Sequence, residues 1–430
     1  MKKIAIASFA AVMMGLGGIT FAAPGNAAPG KGSSESSPVA GQIMVKFRDH
    51  AAAEGVLRQH GLSQGTGIGS TGAHLIKVPA GKELQLIEAL SRNRAVEYAE
   101  PDELVTAATD DFYFDRQYAL QNDGQSFKNA DELITIAAGK PDADVDAVEA
   151  WGVTTGKDTR VAIIDSGVAI DHEDISEKVV ARFNFSSTVI RPDYPEDYDK
   201  YGHGTHVAGI VAAVHNTTGV AGVCPECTIL DAKVLNDSGS GSSSAIAKGI
   251  DWAVSNGAKV INMSLGQRVS SRTLEAAVNN AWNQGVVIVA AAGNSGTQAK
   301  IYPGAYPNVI AVAATDNNDA KASFSTYGKW VDVAAPGVNV YSTFPNHEFV
   351  LGTQNGRHTS YDIASGTSMA SPIVAAVAAL AWSSHADATN ASVRANIETT
   401  ADTENIDGEG TYWKYGRVNA NDAVRQVTGQ

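Results

Sequence analysis

The sequence predicts an α/β protein: a doubly wound, mostly parallel sheet with helices on both faces, preceded by a small α+β module of ferredoxin-like type. Three observations carry this expectation. Runs such as Val161-Ala162-Ile163-Ile164 and residues 286–292 are continuously apolar, as strands buried on both faces must be. The segments between them space apolar residues three and four apart, as amphipathic crossover helices do. Glycine numbers 42 in 430 residues, above the ordinary ~7%, which suits tight turns and close backbone approaches.

Composition narrows the class further. With 44% hydrophobic and 18% charged residues, the chain is too apolar for a disordered acidic polymer and too rich in glycine for a coiled coil. A net charge of −14 argues against a nucleic-acid partner, since phosphate neutralisation needs clustered Lys and Arg. The acid is unevenly spread. Residues 1–108 hold 10 basic and 9 acidic side chains, so a net of −15 falls on residues 109–430.

Met1-Lys2-Lys3 and the apolar run 4–23 form a secretory signal peptide within residues 1–27, with cleavage expected after Ala22 or Ala27. The run approaches the length of a membrane anchor, but its three glycines and small-residue exit favour removal and export. Residues 28–40 are rich in Gly, Ser and Pro and read as a linker. The module at 41–108 has strands expected at 42–47, 74–78 and 96–101. Helices are expected at 51–59 and around Leu84, Ile87 and Leu90. A β-α-β-β-α-β order fits this length.

In residues 109–430, strands are expected at 161–165, 228–235, 259–265, 286–292 and 309–315. Ile246, Ile250, Ala253 and Val254 share a helical face that ends at Asn256-Gly257. Leu274, Ala277, Val278, Ala281 and Trp282 share another, stopped by Gly285. Further helices are expected at 206–214 and 373–382. In such sheets ligands gather outside the carboxyl ends of the strands, and four polar residues stand there. Asp165 ends a strand. His203 lies in Gly202-His203-Gly204-Thr205-His206, Asn294 follows Ala292-Gly293, and Ser368 lies in Gly366-Thr367-Ser368-Met369-Ala370. Singly, each could be a cap or turn residue. The ordered set Asp, His, Ser is the specific signal.

These motifs make the chain similar to the subtilisin-like serine proteases, over about residues 111–429. Gly410-Thr411-Tyr412-Trp413 and Gly416-Arg417-Val418-Asn419-Ala420 resemble thermitase-like secreted members in particular. The resemblance implies a secreted endopeptidase in which Ser368 attacks the peptide carbonyl and His203 moves the proton. Asp165 would orient His203, and Asn294 would donate to the oxyanion. It makes the module at 41–108 an inhibitory propeptide, self-cleaved near Ala108/Thr109. An inactive peptide-binding homologue would be expected to lack one of these groups, and all four are present.

The resemblance also assigns peptide-binding edges, Gly239-Ser240-Gly241 and Ser264-Leu265-Gly266, with a primary pocket toward Ala292-Gly293. Ile301 would stand near that pocket's floor, where other members often have a small or polar residue, so medium apolar side chains should be favoured. A structural calcium ion is implied, held by Asp111, Asp174, the Asn216 side chain and the carbonyls of Val214, Thr218 and Val220, all hard oxygens. His203 and His206 lack the HExxH setting and third ligand of a zinc site, so no catalytic metal is expected. The serine lacks the Gly-x-Ser-x-Gly frame and chain order of an α/β-hydrolase. Cys224-Pro225-Glu226-Cys227 is one pair, too few for a four-cysteine zinc site, and in an exported chain reads as a disulfide. The partners expected are protein or peptide substrates and the chain's own propeptide. No nucleic acid, and no membrane after signal removal, is expected, and the mature enzyme should be a monomer.

Overall fold

The computed structural model describes residues 38–48, 50–63, 65–68, 71–103, 111–186, 199–403, 406, 408 and 410–426. The expected signal peptide, most of the expected linker and the expected processing point near residue 108 lie outside them. The chain divides into two units, Met1–Val105 and Thr106–Gln430.

The first unit runs β1 (Pro38–Phe47), α1 (His50–Gln59), β2 (Thr66–Gly67), β3 (Ala73–Lys77), α2 (Glu83–Ser91) and β4 (Val96–Glu103). The strands form an antiparallel sheet in the order β2-β3-β1-β4. Alternate residues of β1 (Ile43, Val45 and Phe47) point to one face and pack with Val56, Leu57, Ile76 and Leu90. The expected β-α-β-β-α-β module is present.

The second unit opens with a two-stranded ribbon, β5 (Phe127–Lys128) and β6 (Thr135–Ile136), and a short helix α3 (Ala147–Trp151). Then follow β7 (Arg160–Asp165), β8 (Val179–Asn184), α4 (His203–Ala212), β9 (Thr228–Lys233) and α5 (Ser243–Ser255). Next come β10 (Val260–Met263), α6 (Arg272–Asn283), β11 (Val287–Ala291), β12 (Ile310–Thr315) and β13 (Val333–Pro336). Those seven strands from β7 to β13 make one sheet, ordered β13-β12-β11-β10-β7-β9-β8, and every pairing is parallel. A second ribbon, β14 (Val340–Thr343) and β15 (Tyr361–Ala364), brackets α7 (Val350–Asn355). The chain closes with α8 (Thr367–Ser384), α9 (Asn390–Thr399) and α10 (Ala420–Arg425).

Continuous apolar strands serve two cores at once. Val161 and Ile163 face α4 and α8, while Ala162 and Ile164 face α5 and α6. Helix α8 is long and apolar enough to cross a membrane, yet 78% of that stretch is buried inside the protein. It is the spine of one core. The strand order reverses direction between β7 and β10, which opens a crevice beyond their carboxyl ends.

Two helices begin earlier than their apolar pattern suggests. Helix α4 starts at His203 and not at 206, and α8 starts at Thr367 and not at 373. In both, the first turn is built from small and polar motif residues entered through a glycine, so hydrophobic periodicity begins only later. The sequence also gave no strand expectation for β8, an edge strand that is only partly buried, or for the β14–β15 ribbon. The early helix starts place His203 and Ser368 in first turns.

Candidate active site

Asp165 is the last residue of β7 and is 1% exposed. Its Oδ1 accepts the Ser166 N–H at 2.7 Å and lies 2.8 Å from His203 Nδ1. Its Oδ2 is buried with no hydrogen-bond partner among the described residues. His203 is 16% exposed. Desolvation works against its charged form, but the charge and hydrogen bond of Asp165, with Asp199 behind them, outweigh that and raise its pKa above the ordinary value.

Asp199 was not singled out from the sequence. It is fully buried and accepts from Ser166 Oγ, the Gly202 N–H and both the N–H and hydroxyl of Thr205, at 2.6–2.9 Å. It therefore ties the turn after β7 to the start of α4. The only sequence signal was its place four residues ahead of the histidine.

Ser368 stands in the first turn of α8. Its Oγ donates to the Ser264 carbonyl at 3.2 Å, and Ser264 Oγ donates back to the Ser368 carbonyl at 2.7 Å. Among the described residues no hydrogen bond joins His203 to Ser368. In resting sites such contacts are often long, tightening when substrate arrives. Asn294 follows β11, and its side-chain oxygen accepts both the N–H and the hydroxyl of Thr367, at 2.9 and 3.0 Å. That fixes the amide's orientation and leaves Nδ2 beside Gly366 as a free-facing donor. Thr367, which also accepts the Gly293 N–H at 3.0 Å, is a second residue the sequence reading passed over. Its position inside the serine motif was the available signal.

A cleft of about 370 Å³ opens at His203, while Asp165, Ser368, Asn294, Ala292, Gly293 and Ile301 are not part of its lining. Gly239, Ser240 and Gly241 line one side, and Ser264, Leu265 and Gly266 line the other, with His203 between. Tyr201, Leu235, Ile246, Gln267 and Tyr302 complete the lining and were not anticipated. Ile301 fills the space between two glycines. A Cβ on Gly266 would fall 2.4 Å from its Cγ2, and one on Gly293 2.9 Å from its Cγ1. Ala292, just beyond β11, is held by its N–H to the Val312 carbonyl at 2.9 Å.

The residues expected to hold calcium gather elsewhere, at the far end of α4, roughly 15 Å of helix away. Asp174 is fully buried, and its Oδ2 accepts the Val220 N–H at 2.8 Å while Oδ1 is buried without a partner. Burial, and then the charge of Asp111, push its pKa up to about 7. Asp111 Oδ1 accepts the Asn216 N–H at 2.8 Å, and Asn216 Oδ1 accepts the Thr218 N–H within the loop. The Val214 N–H donates to the Asp174 carbonyl at 3.0 Å. Two buried carboxylates and a loop of neutral oxygens fit a hard cation. Among the described residues no three His, Cys, Asp or Glu side chains converge on one point, so backbone and amide oxygens would have to complete the set. Cys224 and Cys227 are joined as a disulfide, buried beside β9.

Comparison with known proteins places this geometry. Residues 156–422 match the subtilase family model of S8 peptidases, and residues 23–102 match the fervidolysin N-terminal prodomain. The chain is 49% identical over 282 residues to thermitase of Thermoactinomyces vulgaris, covering 65% of this chain and 94% of that one. It is 40% identical over 394 residues to a thermophilic serine proteinase of Bacillus sp. strain AK1, covering 90% and 88%. A solved protease structure from Pseudoalteromonas arctica aligns with a TM-score of 0.62 at 30% identity, covering 74% of this chain and 99% of that one. With its crevice, its parallel sheet and its front module, the chain belongs to the subtilase family of serine peptidases and carries an N-terminal prodomain.

Proposed function

We propose that this subtilase is a secreted endopeptidase that cuts proteins through an acyl-enzyme, with Ser368 as nucleophile, His203 as general base and acid, Asp165 as its orienting partner and Asn294 as oxyanion donor. The observation that carries this reading is the 2.8 Å contact between Asp165 and His203, with His203 sharing a cleft with Ser264, which is hydrogen-bonded to Ser368. Rotation of the Ser368 hydroxyl away from the Ser264 carbonyl would bring its proton to His203. Attack on the substrate carbonyl then forms the C–O bond. The oxyanion is met by Asn294 Nδ2 and the Ser368 N–H, helped by the positive end of α8. His203 returns the proton to the leaving amine, and water repeats the cycle on the ester.

Extended substrate is taken to add as a strand between Gly239–Gly241 and Ser264–Gly266. The bulk of Ile301 between Gly266 and Gly293 supports a primary pocket for medium apolar side chains. The signal peptide and the prodomain support export as a precursor, cut near Ala108/Thr109 by its own active site and inhibited by the prodomain until then. Asp111, Asp174, Asn216 and the carbonyls of Val214, Thr218 and Val220 would hold structural calcium, which would neutralise the two carboxylates and fix the loop. It takes no part in the chemistry.

A fluorophosphonate probe tests the core of this. It should label Ser368 in the matured enzyme, and Ser368→Ala precursor should stay uncut. Normal maturation of purified Ser368→Ala chain would overturn the self-processing reading. In the matured wild type, the labelling rate and hydrolysis should both fall as pH drops through the raised pKa of His203, because the protonated imidazole cannot accept a proton.

A further inference from the structure

The first turn of α4 has no capping side chain at Gly202, which adopts φ +93°. Asp199 holds one side of this turn. The other side is covered by the excursion that joins β14 to β15 and contains α7. The first two N–H groups of α7, which have no partner within their own helix, donate to the segment leading into the histidine: Val350 N–H to the Lys200 carbonyl at 2.9 Å and Leu351 N–H to the Tyr201 carbonyl at 3.1 Å.

Phe349, 3% exposed, lies directly on Gly202. A Cβ there would fall 2.2 Å from its ring. Its ring stacks on Phe344 (4.7 Å, 22°), which in turn lies against His206 (4.6 Å, 49°), one turn along α4 from His203. Ser342 and Thr343 of β14 donate their hydroxyls to the carbonyls of His206 and Thr205, at 2.9 and 2.8 Å. Strand β15 then leads through Ser365 and Gly366 into Ser368. One ribbon thus grips the helix that carries the base and delivers the helix that carries the nucleophile.

We propose that Phe349 is a positioning residue for the reaction: its ring, with the two α7 N–H groups, holds residues 200–202 so that the His203 imidazole stays in register with Asp165 and Ser368. This rests on the assignment of His203 as general base. The ring touches neither substrate nor reacting atoms. It acts through the backbone of Gly202, where a glycine is needed both for the left-handed turn and for the room the ring occupies.

The test compares full-length Phe349→Ala and Phe349→Leu with the wild type after maturation, using a short chromogenic peptide and the fluorophosphonate probe. Phe349→Ala should lower kcat tenfold or more with KM within twofold, and labelling of Ser368 should slow in parallel. The acid limb of kcat/KM should move to lower pH, since a loosened Asp165 no longer favours the imidazolium. Phe349→Leu should recover at least a third of the activity. If Phe349→Ala does not mature, Phe349→Leu decides, by a smaller fall in kcat with the same displacement of the acid limb. Wild-type kcat in a folded Phe349→Ala, or loss in either variant with the acid limb unmoved, overturns the proposal while leaving the triad reading intact. Failure of the wild type to label overturns the triad reading itself.

Discussion

Pro372 explains why Ser264 can hold Ser368. A proline has no N–H, so the carbonyl four residues earlier, that of Ser368, loses its helical partner. Ser264 Oγ takes that place. Ser264 is in turn held by Asn262 Nδ2 at 3.0 Å, and Asn262 Oδ1 accepts Ser371 Oγ at 2.6 Å. A buried chain of side chains therefore couples the wall of the cleft to α8. On the proposed reading, selectivity is set beside this wall by Ile301, which packs between Gly266 and Gly293. Ile301→Gly should empty the space between Gly266 and Gly293 and raise kcat/KM for Phe and Tyr substrates, relative to Ala and Val, by roughly tenfold or more. Unchanged ratios in peptide-library cleavage would remove Ile301 from the pocket. At this scale the sequence displayed the candidate reacting groups, because their motifs are local. It did not display Thr367, Asp199 or Tyr201, whose importance lies in which distant backbone group or ring they meet.

Among the elements, α4 links two candidate sites. Its first turn presents His203, and its last runs into the loop of Val214, Asn216, Thr218 and Val220. A cation between Asp111 and Asp174 would thus steady the helix from the opposite end. Chelation should shorten the enzyme's half-life at high temperature and lower its thermal midpoint. The loss would be about 2.7 kcal/mol if calcium had been present at a hundred times its Kd. Scanning calorimetry with and without chelator checks this, and coincident transitions would count against the site. The apolar strands and the periodic helices α5 and α6 were readable because burial dictates their residue pattern. Short β13, the ribbon β14–β15 and α7 were not. Their stability comes from tertiary contacts, such as Phe349 on Gly202, that leave no periodicity behind.

Across the whole molecule, the acid excess has a local consequence near α3 and the C-terminal segment. Burial pushes the pKa of Asp144 up to about 7. Burial, followed by the charges of Asp144, Asp402, Glu149 and Asp142, pushes that of Asp146 up to about 8. Asn419 donates to Asp146 and Asp402, and Arg417 pairs with Asp319 and Asp402. These raised carboxylates bind protons in the folded state that the unfolded chain has released above pH ~4. Stability from this cluster is therefore greatest at acid pH and declines as pH rises through about 7–8. Asp146→Asn keeps an acceptor for Asn419 and tolerates the left-handed φ of +52° at that position. It should raise the thermal midpoint at pH 9 by roughly 2–4 °C, the shift about 1 kcal/mol produces in a mid-sized domain, and change it little at pH 5. An equal rise at both pH values would point to packing and not to charge. The net charge announced acidity but not this cluster, since only the fold gathers its members.

The placement of Ser368 on α8, the spine of one core, also bears on timing. Asp165 and His203 leave the ribosome long before the serine does. The nucleophile's helix then cannot seat until β10, β11, β12 and β13 offer it a surface. On the proposed assignment no partial chain holds all three groups, so hydrolysis would await the docking of this last large piece of the core. On the proposed reading, a chain assembled in this order would make its first cut only after the sheet has closed.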